Sequence, residues 1–282
     1  MAGIAEQTVT AGKFTWFYRE SAPDRTPRES PVVLLHGLPS HGFCWRYLMP
    51  TLAEAGFRAI APDWLGSGRS DKPDRFDFRY TPDAFVAALG DFLDAAGCDR
   101  VSIVVQGFLG SVGLQYAQRH PERIERLVVL NAPLSMAARL PWTMRQWGIP
   151  FVGDMLTQDP LLVDRTLEGG SGFRIDDRDL ATYRAPFLES SAVGRSLLMA
   201  VQNMQFAKAM TELDIGWQSW TKPTAIFWGA RDPWLDVAAV EAIAAADNIE
   251  LTKLPDAKHY PQEHWSEDIS GDLIDFLRRE VG

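Results

Sequence analysis

Val101-Ser-Ile-Val-Val-Gln106-Gly107-Phe108-Leu109-Gly110-Ser111 is a β-branched, apolar run that stops at a glycine and enters a helical stretch, Val112 to Arg119, with no loop between them. Branched side chains suit a buried strand, and a glycine at its exit supplies the backbone freedom for a sharp change of direction. The segment therefore reads as strand, elbow and helix, with Gly107 at the elbow. A residue at such an elbow stands at the carboxyl end of its strand. Gly107 has no side chain to present there, so the stretch predicts a scaffold and names no attacking atom.

The scaffold extends to both sides. Phe14-Thr-Trp-Phe-Tyr18 reads as a strand, and residues 19–30, with Pro23 and Pro27, read as an exposed loop. Pro31-Val-Val-Leu-Leu35 is a buried-strand run ending in the turn His36-Gly37-Leu38-Pro39. Phe43 to Ala55 reads as a helix closed by Gly56, Phe57 to Ala61 as a strand, and Pro62 to Pro73 as a glycine-rich loop. Thr81 before Pro82 is a helix start, and that helix runs to about Ala96. Arg126 to Leu130 is the strand after the elbow helix. Strands alternating with helices predict a mostly parallel central sheet with helices on both faces. Sites in such sheets lie beyond the carboxyl ends of the strands, where His36, Asp63, Gly107 and Asn131 all fall.

The alternation stops after Pro133. Residues 134–218 read as helical throughout and hold six of the eight methionines, together with Trp142, Trp147, Phe151, Phe173, Phe187 and Phe206. This predicts an inserted helical cap, dividing the chain into 1–133, 134–218 and 219–282. The cap's apolar content serves either as its own core or as the wall of an apolar pocket against the sheet. His36, Trp142, Trp147, Tyr183 and Met204 are the candidate lining residues. The alternation then resumes with Thr224–Trp228, a helix from Val237 to Ala246, Ile249–Leu254 and a last helix from Ser266 to Glu280. Asp232 and His259 each follow the end of a late strand.

Composition narrows the partners. A net charge of −9 disfavours nucleic acid and anionic membrane surfaces, since both need clustered Lys and Arg. Cys44 and Cys98 are the two cysteines; they have no metal-type spacing and build no disulfide framework. No run approaches the length of a membrane span, and Met1 to Phe14 lacks a signal-peptide pattern. The expectations are a cytoplasmic protein, monomer or homodimer, with no metal and no cofactor, acting on a small apolar molecule.

Elbow, then acid, then histidine is the chain order of one hydrolase triad. Here those positions are Gly107, Asp232 and His259. With His36-Gly37-Leu38-Pro39, Trp45-Arg46, Ala61-Pro62-Asp63, Gly66 to Pro73, Val104-Val105-Gln106, Tyr183-Arg-Ala-Pro-Phe187, Gly229 to Pro233 and His259-Tyr-Pro-Gln-Glu263, the chain resembles α/β-hydrolase-fold proteins over nearly its whole length. The similarity is greatest to the haloalkane dehalogenase and epoxide hydrolase branch. The resemblance implies His259 as general base, Asp232 as the acid orienting it, and the backbone N–H groups of Leu38 and Phe108 as an oxyanion hole.

The departures from that branch carry as much information. Its dehalogenases and epoxide hydrolases hold Asp where this chain has Gly107, and its esterases hold Ser. The dehalogenase halide donors, a Trp and often an Asn, are replaced by Phe108 and Leu38. Epoxide hydrolases of the branch use two cap tyrosines, and this cap has Tyr183 alone. Base and oxyanion hole without a nucleophile still suffice for hydrolysis, elimination or cyclisation of a small apolar carbonyl compound. A ligand-binding or scaffolding protein without catalysis is the second reading, and a knocked-out hydrolase the third.

Overall fold

The computed structural model describes residues 3–25 and 30–279. Eight strands form one sheet: β1 (Ala5–Ala11), β2 (Phe14–Ser21), β3 (Val32–Leu35), β4 (Ala59–Pro62), β5 (Val101–Gln106), β6 (Ile124–Leu130), β7 (Thr224–Gly229) and β8 (Ile249–Leu254). Their spatial order is β1-β2-β4-β3-β5-β6-β7-β8. The β1–β2 and β2–β4 pairings are antiparallel, and all later ones are parallel. The protein has the α/β-hydrolase fold, and β5 lies mid-sheet, every residue of it buried.

Burial on both faces explains the unbroken apolar runs. Along β5, Ile103 and Val105 join one core cluster, while Val104 joins the cluster on the opposite face. Helices cover both. Before the insertion come α1 (Leu48–Glu54), α2 (Pro82–Ala95) and α3 (Gly107–Arg119). Thr81 caps α2 by accepting from the Ala84 amide, with Pro82 at the first turn.

Between β6 and β7 the described chain contains helices and no strand: α4 (Trp142–Arg145), α5 (Val152–Thr157), α6 (Leu161–Ser171), α7 (Asp177–Glu189), α8 (Ser191–Asn203) and α9 (Phe206–Trp217). After β7 come α10 (Val237–Ile243), α11 (Pro261–His264) and α12 (Ser266–Arg278).

Four local expectations are corrected. β1 is an extra strand, with mostly exposed residues and hence no apolar signal. The stretch 19–30 is not wholly a loop: β2 continues to Ser21, and Arg19 is buried against Asp63 at 3.1 Å. Residues 26–29 of that stretch lie outside the described residues. Phe43 to Ala55 is not one helix but a 3₁₀ turn, Gly42–Trp45, followed by α1. The last helix ends at Arg278, and Glu280 lies outside the described residues.

Candidate active site

β5 ends at Gln106, and Gly107 opens α3 with φ +70. That left-handed backbone is open to glycine and strained for other residues, which is why the elbow can turn without a loop. Gly37 permits the close approach of the neighbouring turn, since a Cβ added there would lie 2.7 Å from the Gly107 Cα.

The late strands bring the acid and the histidine to the same place. His259 Nδ1 lies 2.8 Å from Asp232 Oδ2, with both side chains fully buried. A carboxylate accepts only, so Nδ1 carries the proton and Nε2 presents its lone pair. Nε2 has no hydrogen-bond partner among the described residues. A Cβ built on Gly107 would lie 3.6 Å from it. The unpartnered nitrogen and the side-chain-free elbow therefore face each other.

Asp232 is held from three further directions. Its Oδ1 accepts from the amides of Trp234 at 2.8 Å and Leu235 at 3.1 Å, and its Oδ2 accepts from Asn131 Nδ2 at 2.7 Å. Asn131 sits just past β6 with φ +40, a conformation asparagine tolerates better than most residues. Its Oδ1 also accepts from the Gly229 amide at 2.8 Å. It thereby ties the end of β6 to the end of β7 and to the acid. The sequence placed Asn131 at a strand end without a role, because an Asn after a strand is an ordinary turn residue.

His259 is enclosed by rings. Phe108 stacks on it at 5.3 Å and 25°, while Trp234 and Tyr260 stand edge-on at 4.6 and 4.8 Å. Gln106 Nε2 donates to the His259 carbonyl at 2.8 Å, fastening the loop after β8 to the elbow strand. The Phe108 amide, in the first turn of α3, has no intrahelical acceptor. Among the described residues neither it nor the Leu38 amide donates a hydrogen bond.

The remaining candidates are placed differently. His36 is wholly buried and both its nitrogens are engaged, Nδ1 donating to the Gly37 carbonyl and Nε2 accepting from the Trp64 amide. Burial pushes it down to about 4, against the opposing pull of Asp63. His41 is also buried; Nδ1 accepts from the Phe43 amide and Nε2 donates to the Thr182 carbonyl on α7, and burial again pushes it down to about 4. Burial would raise the Asp63 carboxyl. It is nonetheless lowered by His41, Arg19, His36 and the Arg69 amide.

Tyr183 is fully buried in a polar knot, where its hydroxyl donates to Glu263 and accepts from Arg46. Arg46 also reaches Glu263 at 2.9 Å and Asp179 at 2.6 Å, so the knot fastens α7 to the core. Trp142 is 63% exposed on α4. Trp147 and Met204 are buried, and Trp147 lines a cavity of about 370 Å³ with Leu156, Leu162 and Trp234. Ser111 is not at the elbow; its hydroxyl donates to the Phe108 carbonyl inside α3. Cys44 and Cys98 are free and buried. Among the described residues no His, Cys, Asp or Glu group is placed to hold a metal, and no helix is long and apolar enough to cross a membrane.

Known proteins share this arrangement of chain. The profile of the alpha/beta hydrolase fold matches residues 30–264. A haloalkane dehalogenase of Mycolicibacterium paratuberculosis is 30% identical over 243 residues, covering 83% of this chain and 78% of that protein. Haloalkane dehalogenase 1 of Mycobacterium tuberculosis is 33% identical over 215 residues, covering 74% and 70%. The crystal structure of the haloalkane dehalogenase DbeA from Bradyrhizobium elkani superposes with a TM-score of 0.85 at 24% identity, covering 98% of both chains. DatA from Agrobacterium tumefaciens superposes at 0.83 with 21% identity, covering 98% of this chain and 96% of that one. At those identities the two structures are likenesses of fold. By matched length and shared sequence, the chain belongs to the α/β-hydrolase-fold family and is related to its haloalkane dehalogenases.

Proposed function

We propose that this protein is a cofactor-independent enzyme that moves protons directly with His259, without a covalent enzyme intermediate, on a small apolar carbonyl compound. The observation that carries the reading is the unpartnered His259 Nε2, 3.6 Å from where a Gly107 side chain would begin. The relatives' names point to dehalogenation. Against that activity here stand Gly107 at the elbow and Phe108 and Leu38, which lack side-chain donors for a halide.

In the hydrolytic case, a water beside Gly107 gives a proton to Nε2 as its oxygen attacks the carbonyl carbon. The carbonyl electrons move onto oxygen, where the Leu38 and Phe108 amides stabilise the charge. The tetrahedral species then collapses, and the leaving group takes the proton back from Nε2. Asp232 holds the imidazole in the required tautomer and balances its transient charge. The Phe108 face suits a cation as well. The same base and amides serve abstraction of a proton beside a carbonyl, the first step of an elimination or cyclisation.

The test is turnover of a panel of small esters and ketones by the native protein and by His259→Ala and Asp232→Asn. Loss of the base lowers kcat by roughly 10²–10⁴-fold. Undiminished turnover in His259→Ala refutes the assignment. Retained ligand binding with no turnover in any protein of the set points to a binding role instead.

A further inference from the structure

His259 makes no contact with solvent, so something must move before a substrate can reach Nε2. Trp234 is positioned to be what moves. Its ring lies 4.6 Å from His259, 5.9 Å from Tyr260 and 6.3 Å from Phe108. The same residue lines the cavity of about 370 Å³ against the inserted helices, with Trp147, Leu156, Leu162 and Gly169. It also lines a second cavity of about 140 Å³ toward Leu134, Trp228 and Val240. Trp234 thus forms part of both outer walls and touches the imidazole inside.

The way this ring is held suits motion. Its backbone N–H is fixed to Asp232 Oδ1 at 2.8 Å, so the main chain keeps the acid in place. The indole ring is only partly buried and packs against the apolar core. Turning the ring therefore exchanges packing contacts on a partly exposed side chain. On its inner side the ring lies over Gly170, where an added Cβ would be 2.6 Å from the indole Cη2. Gly170 in turn accepts from the His259 amide at 3.0 Å.

We infer that Trp234 is a specificity-determining residue, a partition between His259 and an outer subsite for the apolar part of the substrate in the 370 Å³ cavity. Trp147, Leu156, Leu162 and Trp234 give that subsite apolar surface for a hydrocarbon group, while Gln146 and Arg165 border it with polar atoms. The ring's swing sets how large a group passes. The inference rests on the reading of His259 as the reacting base, but its test does not require turnover.

Diethyl pyrocarbonate acylates an unprotonated imidazole nitrogen, and peptide mass mapping reports each histidine separately. In the native protein His120 and His264 label quickly and His259 slowly. In Trp234→Ala the His259 rate rises on the order of tenfold or more, because the labelled fraction follows the open population. Trp234→Phe gives a smaller rise.

His36 and His41 report the fold, since both are buried with both nitrogens engaged, and they stay unlabelled in each variant. If the Ala variant loosens enough to label them, the Phe variant decides by the same criteria. An unchanged His259 rate in folded variants overturns the inference, as does native His259 labelling as fast as His264. A His259 that proves non-catalytic labels in the same way, so the two readings fail separately.

Discussion

A side chain placed at the elbow must adopt a left-handed backbone and meet the neighbouring turn. Gly107→Ala adds only a Cβ, at φ +70 and 3.0 Å from the Gly37 Cα. The left-handed backbone costs roughly 1–2 kcal/mol for an L-residue. With the tight contact to Gly37, the whole destabilisation falls at about 1–3 kcal/mol. That corresponds to roughly 2–4 °C of melting temperature per kcal/mol for a chain of this size class.

Gly107→Ser carries the same strain and adds an oxygen. The new Oγ stands one bond beyond a Cβ that is 3.6 Å from Nε2, within reach of a hydrogen bond to the base. Guanidinium denaturation should therefore place the two variants at equal stability, both below the native protein. Only the serine variant should give a burst of nitrophenol from p-nitrophenyl acetate, with one acyl group on residue 107 by intact-protein and peptide mass. Adding His259→Ala should abolish that burst. A folded serine variant that never acylates, or an alanine variant that acylates equally, would show that the elbow does not face a working imidazole.

Three further outcomes follow from the same geometry. His36 and His41 have folded-state values near 4, below the 6.5 of a free histidine, so the unfolded chain binds more protons between those limits. Stability should be level above about pH 7 and fall as pH drops from 6.5 toward 4, by on the order of 3 kcal/mol per histidine, as read by denaturation at stepped pH. Asn131→Ala leaves the Gly229 amide unpaired and removes a donor from Asp232; about 2–4 kcal/mol of stability should be lost in urea titrations, and more of kcat than of KM. Arg46→Met strands Glu263, whose side chain has no exposure, and should cost about 3–5 kcal/mol, with part recovered by adding Glu263→Gln.

The parts of the fold that announce themselves in the sequence are those whose burial is two-sided. β3, β5, β6 and β7 are continuous apolar runs because both their faces are covered, and the elbow shows because a strand stops at a glycine with no loop behind it. β1 escapes notice since it packs on one edge with mostly exposed side chains. Arg19 reads as a surface residue because its burial depends on Asp63, distant in the chain. At the site, Asp232 and His259 are legible as strand-end residues in triad order. Asn131 is not, since its three hydrogen bonds, to Gly229 and Asp232, form only when β6 and β7 pair. Trp234 looks like any loop tryptophan until its place between a cavity and the imidazole is seen.

The most direct measurement is a high-resolution crystal structure of the native protein soaked with a small ketone or ester. A ligand or water oxygen is expected within about 3 Å of His259 Nε2, with a second oxygen receiving the Leu38 and Phe108 amides. A protein side chain packed against Nε2 at the Gly107 elbow, or an imidazole turned away from Asp232, would contradict this expectation.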